Sequence, residues 1–166
     1  GMLVACWSCG DGERSAGRGQ PASTPRLVEV ATSERQWTGV AVAPDGRILV
    51  SFPRWSPDVP FSVGVLAADG RVVRRRLDEI GALLPYPDEE VNRWSEGLEP
   101  SEHLVCVQSV VVDDAGRLWI LDPANPMFQG VVPGGPKLIQ VDPATDRVVR
   151  TYRFAPAVAR SDSYLN

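Results

Sequence analysis

At 166 residues with a formal net charge of −4, the chain has the length of one ordinary domain, and its charge balance excludes a nucleic-acid partner, which would need a basic surface to neutralise phosphates. Fifteen glycines and fifteen prolines spread along the chain disfavour long helices, and no run reaches the ~20 apolar residues that a membrane-spanning helix needs.

The chain opens on residues 1–25, which lack apolar periodicity and are read as a flexible leader. Cys6 and Cys9 form a C-x-x-C there, but no strand precedes it and no helix follows, as a thioredoxin-like redox motif requires. The quartet Leu3-Val4-Ala5-Cys6 resembles a bacterial lipoprotein cleavage box, which makes Cys6 the candidate for lipid attachment, although the charged and apolar segments that should come before it are missing.

From Arg26 onward the apolar residues recur with period two or in β-branched bursts, so residues 26–166 are predicted to be all-β. A leading strand is expected at residues 27–30. Residues 39–76 are expected to form one four-stranded sheet, with hairpins turning at Asp45-Gly46 and Asp69-Gly70, because Asp-Gly supplies the positive φ angles of tight turns. The run Arg74-Arg75-Arg76 ends that sheet as a solvated edge. Residues 77–103 read as an insertion, with a helix over 77–84 broken by Pro85-Tyr86-Pro87. Residues 105–154 repeat the sheet, with strands at 105–112, 118–121, 137–141 and 148–154.

The repeat is visible by eye. GVAVAPDGRILVSF (39–52) overlays SVVVDDAGRLWILD (109–122), and VGVLAADGRVVRR (63–75) overlays LIQVDPATDRVVRT (138–151). Repeated four-stranded meanders are the sequence mark of a β-propeller, whereas an immunoglobulin-like sandwich predicts no such self-similarity.

Four segments, FPRWSPDVPFSV (52–63), PYPDEEVNRW (85–94), CVQSVVVDDAGRLWILDPANP (106–126) and FQGVVPGGPKLIQVD (128–142), resemble the bacterial branch of the Yellow/major royal jelly protein family. The resemblance implies an exported or cell-envelope-attached six-bladed propeller, about twice this length, with a ligand pocket at one mouth of a central channel. It also makes residues 161–166 (SDSYLN) the opening of a third blade that is interrupted at Asn166. About two blades are then present, and their open faces and edges need either the remainder of the propeller or further copies of the chain to cover them.

Candidate ligand-binding residues follow from that architecture. Gln108 interrupts an apolar strand, where a buried amide must find partners, and it could line the channel or serve structure alone. Arg54 and Trp55 could hold an anionic or aromatic ligand, or stack on each other to pin a loop. Asp122, Asn125 and Phe128 lie in a Pro-rich excursion between strands, where Asp and Asn also serve as turn formers. The stretch around Asn166 resembles the point at which gluconolactonase-like propellers place an asparagine on a divalent cation, and calcium suits such oxygen ligands; the other ligands would come from blades outside this chain. His103 is the sole histidine, which excludes a multi-histidine zinc site, and no G-x-S-x-G or Walker loop is present.

Two functions stand side by side at this point: binding of a small molecule, aromatic or amine-bearing, and catalysis as a metal-dependent lactonase-like hydrolase or an isomerase of oxidised catechols. A propeller that merely displays loops is the third reading, and fold alone does not decide among them.

Overall fold

A computed structural model describes residues 25–66, 75–76 and 83–166. The leader with Cys6 and Cys9, the Asp69-Gly70 turn and most of the expected helix lie outside the described residues.

Two four-stranded antiparallel sheets dominate. The first holds β2 (Gly39–Val42), β3 (Ile48–Ser51), β4 (Val63–Leu66) and β6 (Leu83–Pro85) in that order; the second holds β7 (Ser109–Val112), β8 (Leu118–Asp122), β9 (Lys137–Asp142) and β10 (Arg147–Arg153). Both are meanders, as the repeat requires. Their first hairpins close as the sequence dictates: Gly46 sits at φ +85°, a left-handed conformation that glycine adopts without strain, and its amide bonds Ala43 O at 2.8 Å. At the equivalent place Gly116 N bonds Asp113 O at 2.8 Å.

Three boundaries differ from the expectation. Residues 27–30 form no strand, because Leu27 and Val28 stay largely exposed with nothing to pack on; the leading strand is instead β1 (Ala31–Thr32), and it pairs in parallel with β5 (Arg75–Arg76). The fourth strand of the first sheet is Leu83–Pro85, placed by the sequence in the insertion. Leu83 is buried, Leu84 points outward, and the proline closes the strand at the sheet's edge, where its missing N–H breaks no ladder. Residues 105–107 approach the second sheet without joining it, since the amides of Val105 and Cys106 bond the Asp122 carboxylate in place of a neighbouring strand, and bonding to β8 begins at Gln108 N on Leu121 O at 2.9 Å. The only α-helix among the described residues, α1 (Glu89–Asn92), lies inside the insertion and is capped by the Asp88 side chain on Val91 N. Residues 161–166 carry no regular element.

The sheets pack face to face. Ala41, Leu49, Val63 and Val65 of the first meet Val110, Leu118, Ile120, Ile139 and Val141 of the second, and each fully buried aliphatic contributes ~1.5–3 kcal/mol. The inner strands β2 and β7 run close. A Cβ on Gly39 would stand 2.9 Å from Val110 N and 2.7 Å from Ser51 Oγ, so only glycine fits there. Side chains also tie the sheets: Thr38 Oγ1 donates to Gln108 O at 2.5 Å, Ser51 Oγ donates to the same carbonyl at 3.4 Å, and the Arg47 guanidinium bonds both Asp146 oxygens at 2.9 Å and the carbonyl of Pro143.

Candidate functional site

At the end of the sheets where β3 exits and β7 enters, three chain segments meet. Residues 52–55 leave the first sheet, residues 105–108 approach the second, and the loop after β8 folds over both. Tyr164 reaches in from the C-terminal segment and joins them.

The indole Nε1 of Trp55 donates to Tyr164 Oη at 2.8 Å, and that hydroxyl donates to Gln108 Oε1 at 2.8 Å. Phe128 lies on this platform, its ring 5.3 Å from that of Trp55 and 5.4 Å from that of Tyr164, both at about 30°. Aromatic pairs at such separations gain roughly 0.5–1.5 kcal/mol beyond area burial. Phe128 is nevertheless 61% exposed. Burial raises the Tyr164 hydroxyl to about 12, so at neutral pH it is a hydrogen-bond donor and not a base. The Cys106 thiol beneath is raised to about 11 by the same cause. On its other side Trp55 borders an open cleft shared with Glu34, Arg35, Gln36, Pro53, Ser56, Asp58 and Val59.

The loop that carries Phe128 is backbone-strained. Ala124, Met127 and Phe128 have φ of +52°, +51° and +57°, values that cost non-glycine residues ~1 kcal/mol or more each. Its anchors are Met127 N on Arg54 O at 2.7 Å, Gly130 N on Asn125 Oδ1 at 3.0 Å and Asn125 Nδ2 on Ser163 O at 3.4 Å.

Of the residues singled out by sequence, Trp55, Gln108 and Phe128 come together at the surface. The other three lie beneath it in supporting roles. Arg54 is only 9% exposed and does not stack on Trp55; its guanidinium donates to the carbonyls of Val59 and of Asn92, the latter at 2.9 Å. Burial lowers its pKa, opposed by the charge of Asp122. Asp122 is fully buried, accepting from the amides of Val105, Cys106 and Ala124 and from Lys137 Nζ, all at 2.7–2.9 Å. Asn125 braces the Phe128 loop. Tyr164 was not among the expected residues, because its partners Trp55 and Gln108 lie 109 and 56 residues away and no local pattern announces them.

Asn166 is exposed, and among the described residues no group of three His, Cys, Asp or Glu side chains could hold a metal ion. The residues present therefore do not form a cation site around it. No helix among the described residues is long and apolar enough to cross a membrane.

Residues 105–166, which contain the second sheet and most of this site, match the sequence model of the major royal jelly protein family. The Yellow-related salivary protein LJM17 of Lutzomyia longipalpis is 32% identical over 126 residues, covering 70% of this chain and 28% of that protein. A dopaminechrome tautomerase of Drosophila melanogaster is 26% identical over 123 residues, covering 72% and 25%. Protein yellow of Drosophila guanche is 28% identical over 103 residues, covering 58% and 17%. The chain thus spans no more than 28% of the length of these relatives.

Proposed function

We propose, from the membership in the Yellow/major royal jelly protein family that these matches support, that the chain is part of an exported β-propeller that binds a small aromatic or amine-bearing molecule where Trp55, Gln108, Phe128 and Tyr164 converge. The observation that carries this reading is the hydrogen-bonded Trp55–Tyr164–Gln108 platform, an apolar surface with oriented polar groups at its rim, which is the usual make-up of a small-molecule site. Isothermal titration of the 166-residue chain with dopamine, an aromatic amine, tests it. Binding that Trp55→Ala weakens at least tenfold, ~1.4 kcal/mol, is the expected result, and an absence of binding would overturn the reading.

The similarity to a dopaminechrome tautomerase favours a second reading, isomerisation of oxidised catechols by the complete propeller. Such a reaction needs a proton acceptor that titrates near the working pH. Tyr164 and Cys106 are held protonated well above neutrality, so these two serve as donors and supports. A metal-dependent hydrolase would need carboxylate companions for Asn166, with calcium as the fitting ion, and no step is assigned to a cation here. Incubation of the chain with dopaminechrome separates the readings: the spontaneous rate is expected to stay unchanged, and an acceleration of tenfold or more would favour the isomerase.

A further inference from the structure

Of the four residues that converge at the proposed site, Phe128 alone lies on top of the Trp55–Tyr164 platform. Its ring lies across both Trp55 and Tyr164 while its outer surface faces solvent, so it covers the platform without being enclosed by anything above it. The backbone beneath the ring is left-handed at two successive bulky residues, Met127 and Phe128, a conformation that persists only while surrounding contacts hold it. At the tip those contacts are the hydrogen bonds from Met127 N to Arg54 O and from Gln129 N to Pro126 O, while the Asn125 brace on Gly130 and Ser163 and the bond from Val132 N to Ala124 O hold the base of the loop. Below the ring, the Gln108 carboxamide spends its oxygen on Tyr164, while its nitrogen has no hydrogen-bond partner among the described residues.

We propose that Phe128 is a displaceable lid, and that the site it covers takes a planar aromatic ligand bearing an oxygen acceptor. The ligand ring replaces Phe128 on Trp55 and Tyr164, and its oxygen accepts from Gln108 Nε2. Displacement exchanges one stacked aromatic for another and releases the left-handed backbone, so the lid competes with the ligand for the same surface. Competition of this kind lowers apparent affinity by the fraction of molecules in which the seat is free. This inference rests on the binding reading above, because a lid has meaning only if the platform takes a ligand.

The test is titration of the 166-residue chain with catechol, a planar aromatic with two oxygens, for the wild type, Phe128→Ala and Phe128→Trp. Phe128 is mostly exposed, so neither substitution should prevent folding, and circular dichroism checks this. The lid predicts binding at least fivefold tighter for Phe128→Ala, which vacates the seat, and weaker for Phe128→Trp, which fills it with a larger ring. Binding by Phe128→Ala where the wild type shows none also supports the lid. Equal or weaker binding by Phe128→Ala would make Phe128 a bystander or a wall of the site, which overturns the lid and leaves the binding reading standing. No binding by any of the three proteins overturns both.

Discussion

In the first blade the insertion is tied back to the sheet by Asn92, a neutral amide whose oxygen accepts from the amides of Ser62 and Val63 and whose nitrogen donates to the carbonyls of Val63 and Tyr86. In the second blade the comparable buried hub is a charge. Asp122 gathers three amides, and Lys137, fully buried beside it, divides its three protons among Asp122, Pro100 O and Gly135 O. In both hubs the central side chains have all their polar atoms bonded, but the neutral hub needs a single side chain and the charged one needs two. The outer faces differ as well. Ala31, Trp37 and Phe61 cover that of the first blade, whereas Val111 stays 57% exposed on that of the second, beside Trp119 and Tyr152. The contrast teaches that the same meander is covered by its own chain around Trp37 and Phe61 in the first blade and left more open around Val111 in the second.

The comparison breaks most readily at Lys137. Lys137→Met removes the cation and leaves a buried carboxylate, and should destabilise by about 3–5 kcal/mol in urea unfolding; a loss under about 1 kcal/mol would show that the charge is dispensable. Asn92→Ala should cost less, about 2–3 kcal/mol, because the groups left unsatisfied are neutral amides and carbonyls. Arg47→Ala, which cuts the tie between the blades, should cost about 1 kcal/mol, since this pair is partly open to water.

A smaller effect belongs to Asp113, whose carboxyl is held at about 2, below its ordinary 3.8, chiefly by the Trp119 indole N–H and the amide of Arg117. A depressed pKa stabilises the fold above the unfolded value and loses that contribution as pH falls through the folded one. The difference in thermal midpoint between wild type and Asp113→Asn should therefore be full above about pH 4 and vanish near pH 2. Smallest in stability, within about 0.5 kcal/mol, is Val111→Glu on the open face. If copies of the chain cover that face, sedimentation should show the wild type associating with concentration and the variant remaining at 18.0 kDa.

Much of the architecture could be read in advance where the information is local. Asp45-Gly46 and Ala115-Gly116-Arg117 fix their hairpins by turn chemistry, and alternation then sets which face of each strand is buried. The fourth strand of the first sheet escaped because Leu83–Pro85 is short and followed by Tyr86-Pro87, a string that reads as a breaker, while what recruits it is the distant pocket beside Gly64. At the site, Trp55 stands out as an aromatic just past a strand, Gln108 as a polar break in an apolar run, and Phe128 as an aromatic in a Pro-rich excursion. Asp122 stands at the start of that excursion but serves the core, because its partner Lys137 comes from the neighbouring strand, 15 residues on. Arg54 next to Trp55 suggests a ligand contact or a stacked pair, but the carbonyls that hold its guanidinium belong to Val59 and to the distant Asn92.

The ties at Thr38 and Arg47 stand at opposite ends of β2. Two sheets joined along one greasy seam can pivot about it like the leaves of a hinge, and a pin at each end removes that freedom. Trp55 rides on one leaf and Gln108 on the other, and the Thr38 pin seats on the Gln108 carbonyl itself, so these pins set the gauge of the aromatic platform. Loosening either should blur selectivity for the thickness and tilt of a ligand before it lowers stability enough to unfold the chain.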